Sequence, residues 1–144
     1  MITATRYHDF SAGHKVTGHE NKCAHLHGHN YRVHFTLRVR EGSGGLDDIG
    51  RVLDFAAIKE RLCEWLEAHW DHRFLINETD PDADVLLDHF ADDVVVTPFN
   101  PTAENMAIYL VRVIAPRQLE GTGCELVRCT VDETRKCGAT YGRD

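Results

Sequence analysis

The sequence has no apolar run approaching the ~20 residues that a membrane-spanning helix needs, and its opening, MITATRYHDF, carries neither a basic head nor a hydrophobic stretch. A membrane-inserted chain and a secreted one are therefore not expected, and the reading is a cytoplasmic protein. Positive charge is also short: 16 basic against 23 acidic side chains leave a net charge of −7, which argues against a protein that grips nucleic acid backbone. A small anion can still bind where basic residues cluster locally. The five cysteines, at 23, 63, 124, 129 and 137, are odd in number and form no CxxC pair. Neither a disulfide framework nor a cysteine-rich zinc module is indicated, and most are expected to be free thiols. With four prolines, no repeat and no low-complexity tract, nothing marks a linker, so residues 1–144 read as a single domain. A chain of this length buries roughly two thirds of its unfolded surface.

What the chain does have is histidine, ten in all, three of them with one cysteine inside KCAHLHGHNYRV, Lys22 to Val33. The surrounding periodicity places them. Ile2, Ala4, Phe10, Ala12 and His14 share one parity, so a first strand ends with His14 on its more apolar face, despite Arg6 and His8. Tyr31, Val33, Phe35, Leu37 and Val39 alternate with Arg32, His34, Thr36, Arg38 and Arg40 in a clear half-buried strand. After a glycine-rich turn at 42–45, RVLDF is expected to carry a short strand into a helix capped by Asp54. That helix stacks Phe55, Ile58, Leu62, Trp65, Leu66 and His69 and ends near WDHRFL.

From Asp80 to Val96 the acidic text reads as a solvated loop with room for one short helix. NPTAEN, Asn100 to Asn105, starts a second helix capped by Thr102 or Asn100 and closed by Pro116. A last strand, Leu126 to Glu133, sets Val127, Cys129 and Val131 on one face and ends that face with an acid, Glu133. The order strand, strand, helix, helix, strand gives an α+β domain with a largely antiparallel sheet, whose edges are free to pair with another subunit.

His27 and His29 are two apart on an extended segment, so both imidazoles project to one side with Gly28 between them. His14 is the natural third. Three neutral histidines with an open fourth corner describe a catalytic zinc site. An isolated HxH, however, is more often a turn with exposed histidines, and a lone cysteine such as Cys23 is more often a small buried hydrophobe than a nucleophile. Asp71 beside His72 supplies a carboxylate that can orient an imidazole for proton transfer, or simply a solvated helix end. His19, His25 and His34 read as surface histidines, and at this point a zinc-dependent binding module without chemistry stands beside the enzyme.

Taken together, FSAGH, KCAHLHGHNY, WDHRFL, NPTAEN and VDET stand in an order and spacing that resemble the 6-pyruvoyl-tetrahydropterin synthase family, including its bacterial branch, 6-carboxy-tetrahydropterin synthase. The resemblance spans nearly the whole chain. It implies that His14, His27 and His29 hold zinc, that Cys23 is the catalytic thiol, and that Asp71 and His72 are its proton-relay partners. It implies that Glu133 anchors a pterin ring through paired hydrogen bonds, with Thr102 and Glu104 nearby. The fold it implies is the tunnelling fold: a four-stranded antiparallel sheet with two helices on one face, three subunits closing a barrel, and two trimers forming a homohexamer. The implied substrate is 7,8-dihydroneopterin triphosphate, whose phosphates would meet Lys15, Lys22, Arg135 and Lys136. The three-residue gap between Cys23 and HGH resembles the bacterial branch of the queuosine route, which releases triphosphate and acetaldehyde. A pyruvoyl-forming enzyme is the nearest alternative.

Overall fold

The structure, a computed structural model, describes residues 1–143. Two long strands, β1 (Ala4–His14) and β2 (His27–Val39), form an antiparallel hairpin. The first helix, α1, runs as Phe55–Ile58, a π-helical turn Lys59–Cys63, and Glu64–His69. Next come β3 (Phe74–Asn77), the short α2 (Ala83–His89) and β4 (Val94–Thr97). The second long helix, α3, runs as Ala103–Tyr109, a π-helical turn Leu110–Ile114, and Ala115–Gln118. Strands β5 (Cys124–Asp132) and β6 (Gly138–Gly142) close the chain.

These strands make one six-stranded sheet in the order β4-β3-β1-β2-β5-β6. The four-stranded antiparallel sheet that the family resemblance implies is thus corrected: β3 and β4 join the β1 edge in parallel, and β6 pairs antiparallel with β5. Both long helices pack on one face, where Phe10, Tyr31, Val33, Phe35 and Leu37 meet Ile58, Leu62, Leu66, Met106, Leu110 and Val111. Each such large side chain contributes roughly 1.5–3 kcal/mol when buried. The short α2 does not share that face. Leu75 enters the main core, whereas its neighbours Phe74 and Ile76 turn to the other side and pack with Ala83, Leu86, Val94 and Val96, as alternation along a strand requires.

Other expectations fail for local reasons. The segment before α1 makes no strand, because the Asp47 side chain takes the Ile49 and Arg51 amides and folds it into a turn; Asp54 does cap the helix, accepting from the Ala56 amide at 2.9 Å. Pro116 does not end α3, because it sits at the start of the last segment, just after the π-helical turn. The last strand keeps strict alternation only up to a bulge opposite Thr36 and Leu37, so Leu126 and Cys129 both face the core. Beyond β1, the Lys15 ammonium is held by Asp80 at 3.1 Å and Asp82 at 2.8 Å, and Thr17 donates to Asp80 at 2.6 Å. That network ties the strand end carrying His14 to the chain leading into α2.

Candidate metal centre and active site

The register of the β1–β2 hairpin sets His14 directly opposite His27, and Ala12 opposite His29. The small Ala12 leaves room for the His29 ring, so three imidazoles converge on the helix side of the sheet. Their ligand nitrogens lie within 4.8 Å of one another. The glycine between the two β2 histidines fits closely: a Cβ on Gly28 would stand 3.0 Å from the Ala12 carbonyl oxygen, so the β1 backbone would have to give way by a few tenths of an ångström.

Two carbonyls decide the tautomers. His14 Nδ1 donates to Pro101 O at 2.6 Å and His27 Nδ1 donates to His25 O at 2.7 Å, so in each neutral ring the lone pair lies on Nε2. Those two Nε2 atoms face each other at 3.0 Å. Two lone pairs so placed need a proton or a cation between them. Burial, offset in part by the Pro101 carbonyl and reinforced by His27 and His29, pushes the His14 pKa down to about 4; burial also lowers that of His29, against the pull of Glu133. His29 Nε2 is buried with no hydrogen-bond partner in the protein. A third nitrogen aimed at the same point is what a three-coordinate ion uses and a shared proton does not. Zinc at ~2.0–2.1 Å from two tetrahedral ligands would space them ~3.3 Å apart, near the observed contact. The donor set therefore fits such an ion.

The block before α3 supports this cluster in ways the sequence did not advertise. Pro101 orients His14, while the Asn100 side chain accepts from Thr17 N and donates to Thr17 O, both at 2.9 Å. Thr102 caps α3, its hydroxyl accepting the Asn105 amide at 3.2 Å. The only advance signal was the Asn-Pro pair ahead of a capping threonine.

Cys23 lies half-buried in a 3₁₀ turn, Lys22–Ala24, within the loop joining His14 to His27, and its carbonyl accepts the Val16 amide at 3.0 Å. Glu133 falls one residue past β5 and sets its carboxylate 3.7 Å from His29 Nε2. It shares a cavity of about 170 Å³ with Ala103, Glu104, Cys137 and Gly138. Thr102 does not line that cavity.

Asp71 and His72 are placed elsewhere. Asp71 accepts from the Ser11 amide at 3.0 Å and sets its other carboxylate oxygen 2.8 Å from His72 Nδ1, and His72 N donates to Ser11 O. Burial would raise the Asp71 pKa, but the Ser11 amide and His72 outweigh it and hold the carboxyl below its usual range. The pair opens into a cavity of about 840 Å³ lined by Ser11, Asn30, Arg32 and Arg135. Ser11, Asn30 and Arg32 have the parity opposite to the metal-site histidines, so this is the other face of the sheet. Among the described residues no hydrogen bond joins Cys23 to Asp71 or His72. Lys15, committed to two aspartates, is not free for phosphates.

The family model for 6-pyruvoyl tetrahydropterin synthase matches residues 3–144. The chain belongs to the 6-pyruvoyl tetrahydropterin synthase family. Among its relatives, the 6-carboxy-5,6,7,8-tetrahydropterin synthase of Rickettsia bellii is 33% identical over 138 residues, which is 95% of this chain and 97% of that protein. An uncharacterized protein from Wolinella succinogenes superposes with a TM-score of 0.84 at 27% identity, covering 99% of this chain and 98% of that one. The Caenorhabditis elegans 6-pyruvoyl tetrahydropterin synthase superposes with a TM-score of 0.68 at 28% identity, covering 99% and 96%. Within this family fold, no helix among the described residues is long and apolar enough to cross a membrane.

Proposed function

We propose that this family member is a zinc-dependent 6-carboxy-5,6,7,8-tetrahydropterin synthase of the queuosine precursor route. It acts on 7,8-dihydroneopterin triphosphate and releases triphosphate and acetaldehyde. The observation that carries the reading is the pair of facing Nε2 lone pairs with a third, unpartnered imidazole nitrogen beside them. The relatives named as 6-carboxy-tetrahydropterin synthases support the choice of product.

His14, His27 and His29 hold the ion, and zinc, when bound, acts as a Lewis acid toward a substrate oxygen. Glu133 accepts two hydrogen bonds from the aminopyrimidinone edge of the pterin, with Glu104 on the same cavity. Thr102 contributes through the helix it caps. Cys23, on the loop that joins two ligands, takes a proton from the substrate side chain. Asp71, 2.8 Å from His72 Nδ1, orients the ring and favours the proton on Nδ1, which leaves Nε2 for proton transfer.

The Asp71–His72 pair of one chain opens away from its own metal centre, so in this reading it serves the centre of another copy. The assembly is a homohexamer of two trimers, each closed through the free sheet edges at β4 and β6. Lys22, Lys136 and Arg135, all exposed, remain to meet the phosphates.

Incubation of the zinc-loaded protein with 7,8-dihydroneopterin triphosphate tests the reading. Acetaldehyde together with a carboxypterin is the expected result; a pyruvoyl product without acetaldehyde contradicts it. A binding module without chemistry would turn over nothing.

A further inference from the structure

Among the described residues, two buried side-chain polar atoms have no hydrogen-bond partner in the protein: His29 Nε2 and the Tyr31 hydroxyl. They belong to neighbouring rings. Tyr31 stands edge-on to His29 at 5.4 Å between centroids and to His14 at 5.9 Å, and it is 1% exposed. Coordination accounts for the first atom. It does not account for the second, which lies outside the three-nitrogen set.

The hydroxyl has no structural reason to be there. Phe10 stacks on the ring at 5.1 Å and 14°, so packing already fixes it, and phenylalanine would fill the same space. A buried hydroxyl without a partner destabilises a core, and one retained beside a chemical site points to a ligand. The register says which part of the site it faces. Arg32 pairs with Asp132 and Val33 with Val131, so the next pair outward is Tyr31 and Glu133. The Glu133 carboxylate reaches to 3.7 Å from His29 Nε2, so the Tyr31 ring, edge-on to His29, borders both the histidine cluster and the acid assigned to the pterin ring.

We propose that Tyr31 is a substrate-contacting residue whose hydroxyl donates a hydrogen bond to a side-chain oxygen of the dihydropterin, fixing that oxygen against the histidine cluster. The assignment rests on the pterin reading above. A tyrosine at neutral pH is a phenol and supplies the donor.

The test compares wild type with Tyr31→Phe, both zinc-loaded, by thermal melting and by calorimetry with two probes. One is 7,8-dihydroneopterin, which carries the side-chain hydroxyls; the other is 7,8-dihydropterin, which has no side chain. Tyr31→Phe is expected to keep its zinc and to melt at the same temperature or higher. It should bind 7,8-dihydroneopterin about tenfold more weakly and 7,8-dihydropterin as wild type does. Equal binding of 7,8-dihydroneopterin by both proteins overturns the proposal, and so does an equal loss for both probes. A lower melting temperature or a failure to fold shows that the hydroxyl has a partner within the chain, and overturns it as well. A wild type that holds zinc yet binds neither probe defeats the pterin reading itself, which separates the two failures.

Discussion

Replacing Asp80 by alanine should loosen the end of β1 that carries His14. The Asp80 side chain is fully enclosed. One oxygen accepts from Lys15 Nζ at 3.1 Å and from the Asp82 amide at 2.9 Å, and the other accepts from the Thr17 hydroxyl at 2.6 Å. Removing one partner of a buried ion pair costs about 3–5 kcal/mol. Lys15 keeps the largely exposed Asp82 as a second partner, so the lower end applies, about 3 kcal/mol. For a domain of this size that is a fall in Tm of roughly 6–12 °C. Asp80→Asn keeps one acceptor oxygen, for the Asp82 amide, while its Nδ2 donates to the Thr17 hydroxyl oxygen in place of the lost acceptor, and it should lose about half as much. The effect also has a pH signature. Burial would raise the Asp80 pKa, but Thr17, the Asp82 amide and Lys15 outweigh it and hold it low. A carboxylate lowered on folding stabilises above its unfolded pKa of ~3.9 and loses that contribution as pH falls through the folded value. Thermal denaturation followed by circular dichroism should therefore show the gap between wild type and Asp80→Ala full at pH 7 and narrowing in acid. An unchanged Tm at pH 7, or a gap that widens in acid, refutes the reasoning.

Three further outcomes are expected. Cys23→Ser should keep the fold and the metal content while product formation falls by roughly 10²–10⁴-fold; turnover near the wild-type rate would remove Cys23 from the mechanism. His72 sits at φ +57°, a left-handed conformation whose strain is of order 1 kcal/mol for a residue with a side chain. His72→Gly should thus melt no lower than wild type yet lose about 10²-fold in turnover, and a marked drop in Tm would show that its ring is structural. Gly28→Ala puts a Cβ 3.0 Å from the Ala12 carbonyl oxygen and 3.5 Å from Gly13 Cα, an overpacking worth about 1–3 kcal/mol. It should spread the hairpin where the imidazoles meet and weaken zinc in a chelator competition; wild-type affinity would contradict the packing argument.

How much of this was legible depended on whether one segment carried the information. The parity of Ala12, His14 and of Tyr31 through Leu37 was readable because each strand is long and packs one face on the core, and that parity alone predicts three imidazoles on one side. Strands β3 and β4 were missed because each is four residues long. Their apolar residues face the main core on one side and the small second core on the other, so they show no alternation. The acidic stretch left α2 legible only as one unplaced short helix, because just Ala83 and Leu86 face the small second core while Asp84 and Asp88 face solvent. The supports of the site were illegible on principle. Pro101 acts through its carbonyl, which every residue has, and Lys15 meets Asp80 across 65 residues of chain. Asp71 and His72 were visible as a pair, but which sheet face they open on follows from the Ser11 backbone contacts, which only the fold provides.

The most direct test of the metal centre is elemental analysis of the purified protein beside His27→Ala, after equal exposure to zinc and removal of loosely bound ion. About one zinc ion per chain in the wild type and none retained in His27→Ala is the predicted result, since that substitution removes one of the two facing Nε2 donors. No stoichiometric metal in the wild type, or about one zinc per chain kept by His27→Ala, would contradict it.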